Sequence, residues 1–584
     1  MSPRRQQCRK FTTAAVKLLV LAAGLVVPAM ATANLPTCTP TFLAGLGVTN
    51  VAITSVSDAA AAGANPEYCD VVAALSTNGE GAGPGLASFE VKMPANWNHK
   101  FLFVGCGGQC GSLANISVNG TDLAEALPQG YAIVNTDTGH SGGQTSDTWA
   151  ITAPGVPNTP AVIDYFYRAV HQVTVAAKKL VGAYYDTPIE HAYFDGCSTG
   201  GRQSLMEAER YPDDYEGLIA GDPVMAFTEI NLEALNIARL FAPANAYISQ
   251  TTMTAVDAAV KANCDAADGV VDGLIQNPAK CSFDPQSLVP ATLTQPQATA
   301  LKQYMSALRD QRGQRIFPGY VASDLSTTGF VGLWTEETCP ANPGAGPEPW
   351  AGVPAGCAIG PAGPLFWQFI DSAIKYYTEL DPNYDVWDGF PVANGVVTDR
   401  ALREAERTMS GANSDLPGNA LAFLRRHGKL ILYHGFSDPG VSPYQSIWFY
   451  TGLAGLVGSY EQAQAGARLF LVPGMAHCGG GPGPNSFDTL NALDAWVTHG
   501  TAPDGILAAN TSSGRTMPLC KYPEEAAYVG GDVNKASSWA CRAGDSRLLQ
   551  VGPNGERAGV GGDPDESRAR QVSGGEPGDE EDDE

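Results

Sequence analysis

Residues 194–203 read Phe-Asp-Gly-Cys-Ser-Thr-Gly-Gly-Arg-Gln, and the middle five, Gly196-Cys197-Ser198-Thr199-Gly200, fit the pattern G-x-S-x-G. No other stretch limits the fold as strongly. A β-rich run, His191–Phe194, comes before it, and an amphipathic, helix-like run, Gly201–Arg210, comes after it. In that setting the glycines permit a sharp strand-to-helix turn that lifts the serine hydroxyl into the open. The chain around Ser198 is therefore expected to be α/β.

The same grammar recurs along the sequence. Lys100–Val104 runs into Gly105–Gly108, Tyr131–Val134 into Asp137–His140, and Leu218–Ala220 into Gly221–Pro223. Lys429–Tyr433 runs into His434–Asp438, and Arg468–Val472 into Pro473–His477. Helix-like stretches such as Ala161–Leu180 lie between. Alternating strands and helices predict a mostly parallel sheet covered on both faces. In such a sheet the chemistry gathers at the carboxyl ends of the strands, where these polar turns fall. The pattern stops near Pro223 and resumes near Lys429. Residues 224–400, with four cysteines and many prolines and aromatics, read as an inserted lid domain. Residues 34–223 and 401–545 then form the catalytic core.

A serine nucleophile needs a base, and the base needs an orienting carboxylate. On a sheet of this kind the partners follow in the order Ser, acid, His. Asp438 follows one late strand run and His477 follows the next, so Ser198, Asp438 and His477 are the expected catalytic triad. Cys197 precedes the serine and Cys478 follows the histidine. Because Ser and His must lie within hydrogen-bond reach, their neighbouring cysteines are close enough to bridge. The oxyanion formed during acyl transfer needs two backbone N–H donors. Thr199, next after the nucleophile, is expected to give one, and the turn at Gly107-Gly108 the other.

Cys-Ser in the elbow, a later Asp, then His-Cys resembles the tannase and feruloyl esterase family over about residues 38 to 545. The resemblance implies an α/β-hydrolase core with an inserted lid domain, a disulfide beside the triad, and an esterase acting on esters of aromatic acids. Feruloyl and galloyl esters lead; a terephthalate monoester or an alkyl ester is the alternative. Another is a catalytically inactive binding protein on the same scaffold, against which the intact Ser, Asp and His argue. At the oxyanion turn this chain departs from the family's plainer run of glycines. It has Gly-Cys-Gly-Gly-Gln-Cys, in which Cys106 and Cys110 either bridge locally or pair with Cys38 and Cys69.

A second constellation lies in the lid. Asp265, Asp268 and Asp272 fall within eight residues, and clustered carboxylates suit a hard cation such as calcium. The spacing is not that of an EF-hand. The resemblance implies a structural calcium ion held by these three aspartates and by the carbonyls of Val270 and Leu274. Cys264 and Cys281 are expected to staple this loop, and order and spacing pair Cys339 with Cys357 and Cys520 with Cys541. His140 and His434 are read as structural. Of the lid aromatics Trp334, Trp350, Phe366, Trp367, Tyr376 and Tyr377, most are expected in the core and one or two against an aromatic acyl group.

The ends of the chain speak to location. Arg4, Arg5, Arg9 and Lys10 precede an apolar stretch, Ala14–Pro28, and small residues follow. Residues 1–33 read as an export signal, with a stretch too short to favour a stable membrane anchor. Twelve cysteines outside that signal, an even number, fit disulfides in an exported chain, secreted or periplasmic. The formal net charge of -25 argues against nucleic acid as a partner; the small-molecule aromatic ester expected as partner is what the resemblance implies. Residues 546–584, rich in Gly, Pro and acid, read as a disordered acidic tail.

Overall fold

The computed structural model describes residues 36–544 apart from Ala244 and 336–362, together with 550–551 and 556–557. The expected signal segment, the Cys339–Cys357 pair and Trp350 lie outside the described residues, as does the acidic tail beyond those two short strands. Nine strands make the main sheet. They are β1 (Val51–Ala59), β2 (Tyr68–Gly79), β3 (Ala82–Pro94), β4 (Lys100–Val104), β5 (Ala132–Thr136), β6 (His191–Cys197), β7 (Gly217–Gly221), β8 (Lys429–Gly435) and β9 (Ala467–Val472). Their spatial order is β1-β2-β3-β5-β4-β6-β7-β8-β9.

From β5 to β9 across the sheet all neighbours are parallel, and these strands are the six runs expected from sequence. They are nearly continuous apolar runs because both faces are covered. Alternate residues serve opposite faces. Phe101 and Phe103 of β4 pack with Val173 and Leu180 of α1 (Ala169–Tyr185). Leu102 and Val104 join Leu493 and Trp496 of the helix Thr489–His499. Each such side chain stabilises the fold by roughly 1.5–3 kcal/mol on burial. The strands β1 to β3 form an antiparallel meander attached to β5, which the sequence reading did not foresee. In β2 buried residues alternate with more exposed ones, a weaker signal than a continuous apolar run.

The chain leaves the sheet after β7 and returns at β8. The intervening segment contributes most of one apolar cluster, from Phe227 through Trp334 and Trp367, which Ala401, Ala405, Met409 and Ala412 also join. Tyr165, Phe166 and Met206 of the core belong to the same cluster and seat the insertion on the sheet domain. Among the described residues, no helix is long and apolar enough to cross a membrane.

Candidate active site

Ser198 stands between β6 and α2 (Thr199–Arg210), with φ 64° and ψ -121°. This strained turn needs close backbone contact. A Cβ on Gly196 would lie 2.4 Å from the Gly200 carbonyl carbon, so only glycine lets the helix start so near the strand. The serine is partly exposed, and its hydroxyl has no hydrogen-bond partner among the described residues.

Asp438 is fully buried after β8, and its Oδ2 accepts the His477 Nδ1 hydrogen bond at 2.6 Å. Its other oxygen accepts the Gly440 and Val441 N–H groups at 2.8 and 2.9 Å, which fixes the carboxylate plane. Burial alone would raise the Asp438 carboxyl. The His477 charge and the hydrogen bonds of His434 and His477 outweigh it and hold the group well below the ordinary carboxylate range. Burial likewise opposes charge on His477, but Asp438 and, more weakly, Asp222 raise the ring from 6.5 to about 9. His477 and the serine share a neighbourhood through the Cys197–Cys478 disulfide, whose Cα atoms are 5.9 Å apart across 281 residues of sequence. No hydrogen bond joins Ser198 to His477 among the described residues; in a free enzyme such a bond often tightens only with substrate.

The backbone N–H groups of Gly107, Gly108 and Thr199 have no hydrogen-bond partner among the described residues. The turn bearing the two glycines is held from several sides. Cys106 bridges Cys110, and Cys38 bridges Cys69, which resolves the pairing that sequence left open. Asn115 donates to the Gly107 carbonyl at 2.7 Å, and Thr199 Oγ1 donates to the Gly108 carbonyl at 2.7 Å. Gly108 has φ +54°, and a Cβ there would sit 2.6 Å from the Gln144 carbonyl oxygen, so this position is restricted to glycine.

The structure adds Asp222, which the sequence reading did not single out, and gives partners to histidines and aromatics that it did. Asp222 is fully buried; its Oδ1 accepts the Gly435 N–H at 2.9 Å and its Oδ2 lies 3.5 Å from Cys197 Sγ. Burial first, then Asp438, push its carboxyl up to about 7 against the pull of His434 and His477. Its place in the turn after β7, beside the nucleophile strand, was the available signal. His434, also fully buried, hydrogen-bonds Ser446 Oγ at 2.7 Å and the Val441 carbonyl at 3.0 Å, and lies 3.5 Å from Asp438 Oδ2. It braces the acid turn. From the insertion, Trp334 Nε1 and the Tyr304 hydroxyl donate to the Pro439 carbonyl at 2.7 and 3.1 Å, and the Tyr320 hydroxyl to Gly440 at 3.1 Å. Phe366, partly exposed, stacks on Trp334 at 4.2 Å, while Trp334, Trp367 and Tyr377 are buried. His140 is buried, its Nε2–H donates to the Gln109 carbonyl at 2.7 Å, and its ring stacks on Trp149.

Asp265, Asp268 and Asp272 gather on one loop, with Cys264 bridged to Cys281 at its base. Asp265 accepts the Gly273 N–H at 2.9 Å, Asp268 those of Val270 and Gln276, and Asp272 that of Leu274. Arg515 lies 3.3 Å from Asp272. Burial, and then repulsion from Asp272 and Asp265, raise the Asp268 carboxyl to about 6. Three acidic oxygen donors with one nearby cation are a donor set that fits a hard divalent ion. Cys520 and Cys541 are bonded.

A family model described as "Tannase and feruloyl esterase" matches residues 69–542. A mono(2-hydroxyethyl) terephthalate hydrolase of Piscinibacter sakaiensis is 31% identical over 539 residues, covering 83% of this chain and 86% of that protein. A probable feruloyl esterase of Arthroderma benhamiae is 28% identical over 472 residues, covering 78% and 82% respectively. The crystal structure of feruloyl esterase B from Aspergillus oryzae shares the fold, with a TM-score of 0.72 at 24% identity over 86% of this chain and 99% of that one.

Proposed function

The chain belongs to the tannase and feruloyl esterase family of α/β-hydrolases and is a carboxylic ester hydrolase, and on that premise we propose that it cleaves esters of aromatic acids, feruloyl or galloyl, through an acyl-enzyme on Ser198. His477 Nε2 takes the hydroxyl proton as Ser198 attacks the ester carbonyl. The N–H groups of Thr199 and of Gly107 or Gly108 receive the oxyanion. His477 then gives its proton to the departing alcohol, and water repeats the sequence on the acyl-enzyme. Asp438 keeps the ring in the tautomer with Nδ1–H and stabilises its charged form. The observation that carries the proposal is the 2.6 Å Asp438–His477 bond beside a histidine loop covalently tied to the nucleophile turn.

Calcium, in this reading, is structural: Asp265, Asp268 and Asp272, with the carbonyls of Val270 and Leu274, hold it, and it supplies charge neutralisation for the loop rather than any step of hydrolysis. The charged N-terminal segment with its apolar run, and five described disulfides, support export to an oxidising compartment.

The 31% identity to a terephthalate monoester hydrolase favours a second substrate reading. A panel of methyl ferulate, methyl gallate, mono(2-hydroxyethyl) terephthalate and a simple alkyl ester separates them, with Ser198→Ala as the blank. The expected result is preference for a ferulate or gallate ester. Turnover limited to the alkyl ester would end the aromatic reading. In Ser198→Ala, fluorophosphonate labelling is lost and turnover falls by at least roughly a thousandfold with the fold intact. Near wild-type turnover in that variant would overturn the mechanism.

A further inference from the structure

His171 lies on α1, Glu207 near the end of α2, and Asp214 on the loop leading from α2 to β7. One donor atom from each lies within 4.8 Å of the other two. His171 Nδ1 and Asp214 Oδ2 are 2.6 Å apart. Glu207 is 1% exposed, yet its Oε2 has no hydrogen-bond partner. A buried carboxylate oxygen left without a partner is costly, and here it sits within reach of an imidazole nitrogen and a second carboxylate.

We propose that His171, Glu207 and Asp214 form a binding site for a divalent transition-metal cation of the zinc class, separate from the triad and from the aspartate loop. Zinc takes imidazole nitrogen together with carboxylate oxygen, whereas calcium and magnesium take oxygen alone. Three side chains on three elements leave the fourth position of a tetrahedral ion to water. The side chains of His171 and Asp214 are 28% and 13% exposed, so an ion and its water can reach them. Tyr211 stacks on the His171 ring at 3.8 Å and 6°, which holds the ring plane.

The charge balance agrees. Burial, and then the neighbouring Asp214 charge, push the Glu207 carboxyl well above its ordinary range, with Lys178 opposing. Lys178 is engaged with the Asp214 backbone carbonyl and lies 5.0 Å from the centre of the Tyr215 ring. A dication between the two carboxylates replaces the proton that His171 and Asp214 share. Glu207 is nine residues along α2 from Ser198, about 13 Å at the helical rise, so the ion's role is to clamp α1 to α2 rather than to touch substrate.

The test is zinc binding to the full exported chain, with calcium in saturating excess so that the aspartate loop does not compete. Calorimetry and dialysis with elemental analysis are expected to give one zinc per chain. Affinity is expected to fall at least about a hundredfold in Glu207→Gln and in His171→Asn, the latter at a partly exposed position that leaves the core untouched. Cobalt in place of zinc is expected to give visible absorption that both variants lose. Zinc is expected to raise the Tm of wild type only, with esterase turnover unchanged. No saturable zinc, or equal zinc binding by wild type and both variants, overturns the proposal.

Discussion

The Thr199 hydroxyl donates to the Gly108 carbonyl across 2.7 Å, joining the peptide after the nucleophile to the glycine turn that faces it. Both elements carry N–H groups without hydrogen-bond partners among the described residues, so in the proposed mechanism one side-chain bond sets the spacing of the two oxyanion donors.

That spacing is testable at Gly108. In Gly108→Ala the new Cβ meets the Gln144 carbonyl oxygen at 2.6 Å, and φ +54° disfavours it as well, so the turn must shift. Loss of one donor is expected to lower kcat on the order of 10²–10³-fold while KM changes little. Thr199→Val keeps the N–H and loses only the hydroxyl anchor, and a smaller loss is expected. Steady-state kinetics on a single ester check both; a Gly108→Ala effect confined to KM would exclude the turn from the hole.

The pH dependence follows from Asp438 and His477. Catalysis needs neutral His477, so kcat/KM should rise with pH along a limb near 9. The raised histidine contributes stability that is full below its unfolded value near 6.5 and is lost as pH rises through about 9. The depressed carboxyl contributes stability present above its unfolded value near 4 and lost as pH falls toward its folded one. Asp438→Asn should move the acid limb down, lower kcat by roughly 10⁴-fold, and cost more Tm at pH 6 than at pH 10. A pH–rate profile and a Tm series on both proteins check it; an unmoved limb would show that another group titrates there.

For the aspartate loop, if it holds calcium as proposed, chelation should lower Tm, because Asp265, Asp268 and Asp272 then repel one another with Arg515, paired to Asp272, their one ion-pair partner among the described residues. Activity should fall with the loop's order and return with added calcium. Elemental analysis that finds no calcium, with an unchanged melting curve, would count against the site.

Removing both Cys197 and Cys478 to alanine frees the histidine loop. Closing so long a loop contributes roughly 2–4 kcal/mol through the unfolded chain. A displacement of about 1 Å at the base costs on the order of a hundredfold in rate. Turnover should therefore fall more than substrate affinity, and non-reducing peptide mapping of wild type should recover the two cysteines in one fragment.

The Asp438–His477 pair and its place beside the Ser198 turn were legible because each residue sits in a turn just after an apolar run, in a fixed chain order. The bridge was legible because its cysteines adjoin residues that must meet. Asp222 was not, since its partners Cys197 and Gly435 come from other strands and its own turn reads like any Asp-Pro. Nor were the bonds from Trp334 to Pro439, which span 105 residues and depend on how the insertion docks. The meander β1 to β3 escaped because its strands mix apolar residues with Thr, Ser, Gly and Asp.

Trp334, Tyr304 and Tyr320 all come from the segment inserted between β7 and β8, and all three grip the peptide just after Asp438. The inserted segment is thus a bracket for Asp438, the proposed orienting acid. A chimera that exchanges this segment for one from another esterase is therefore expected to loosen Asp438. The insertion and the alignment of Asp438 are inherited as a single unit, and recombination is expected to preserve turnover only when the incoming segment brings equivalent donors for the Pro439 and Gly440 carbonyls.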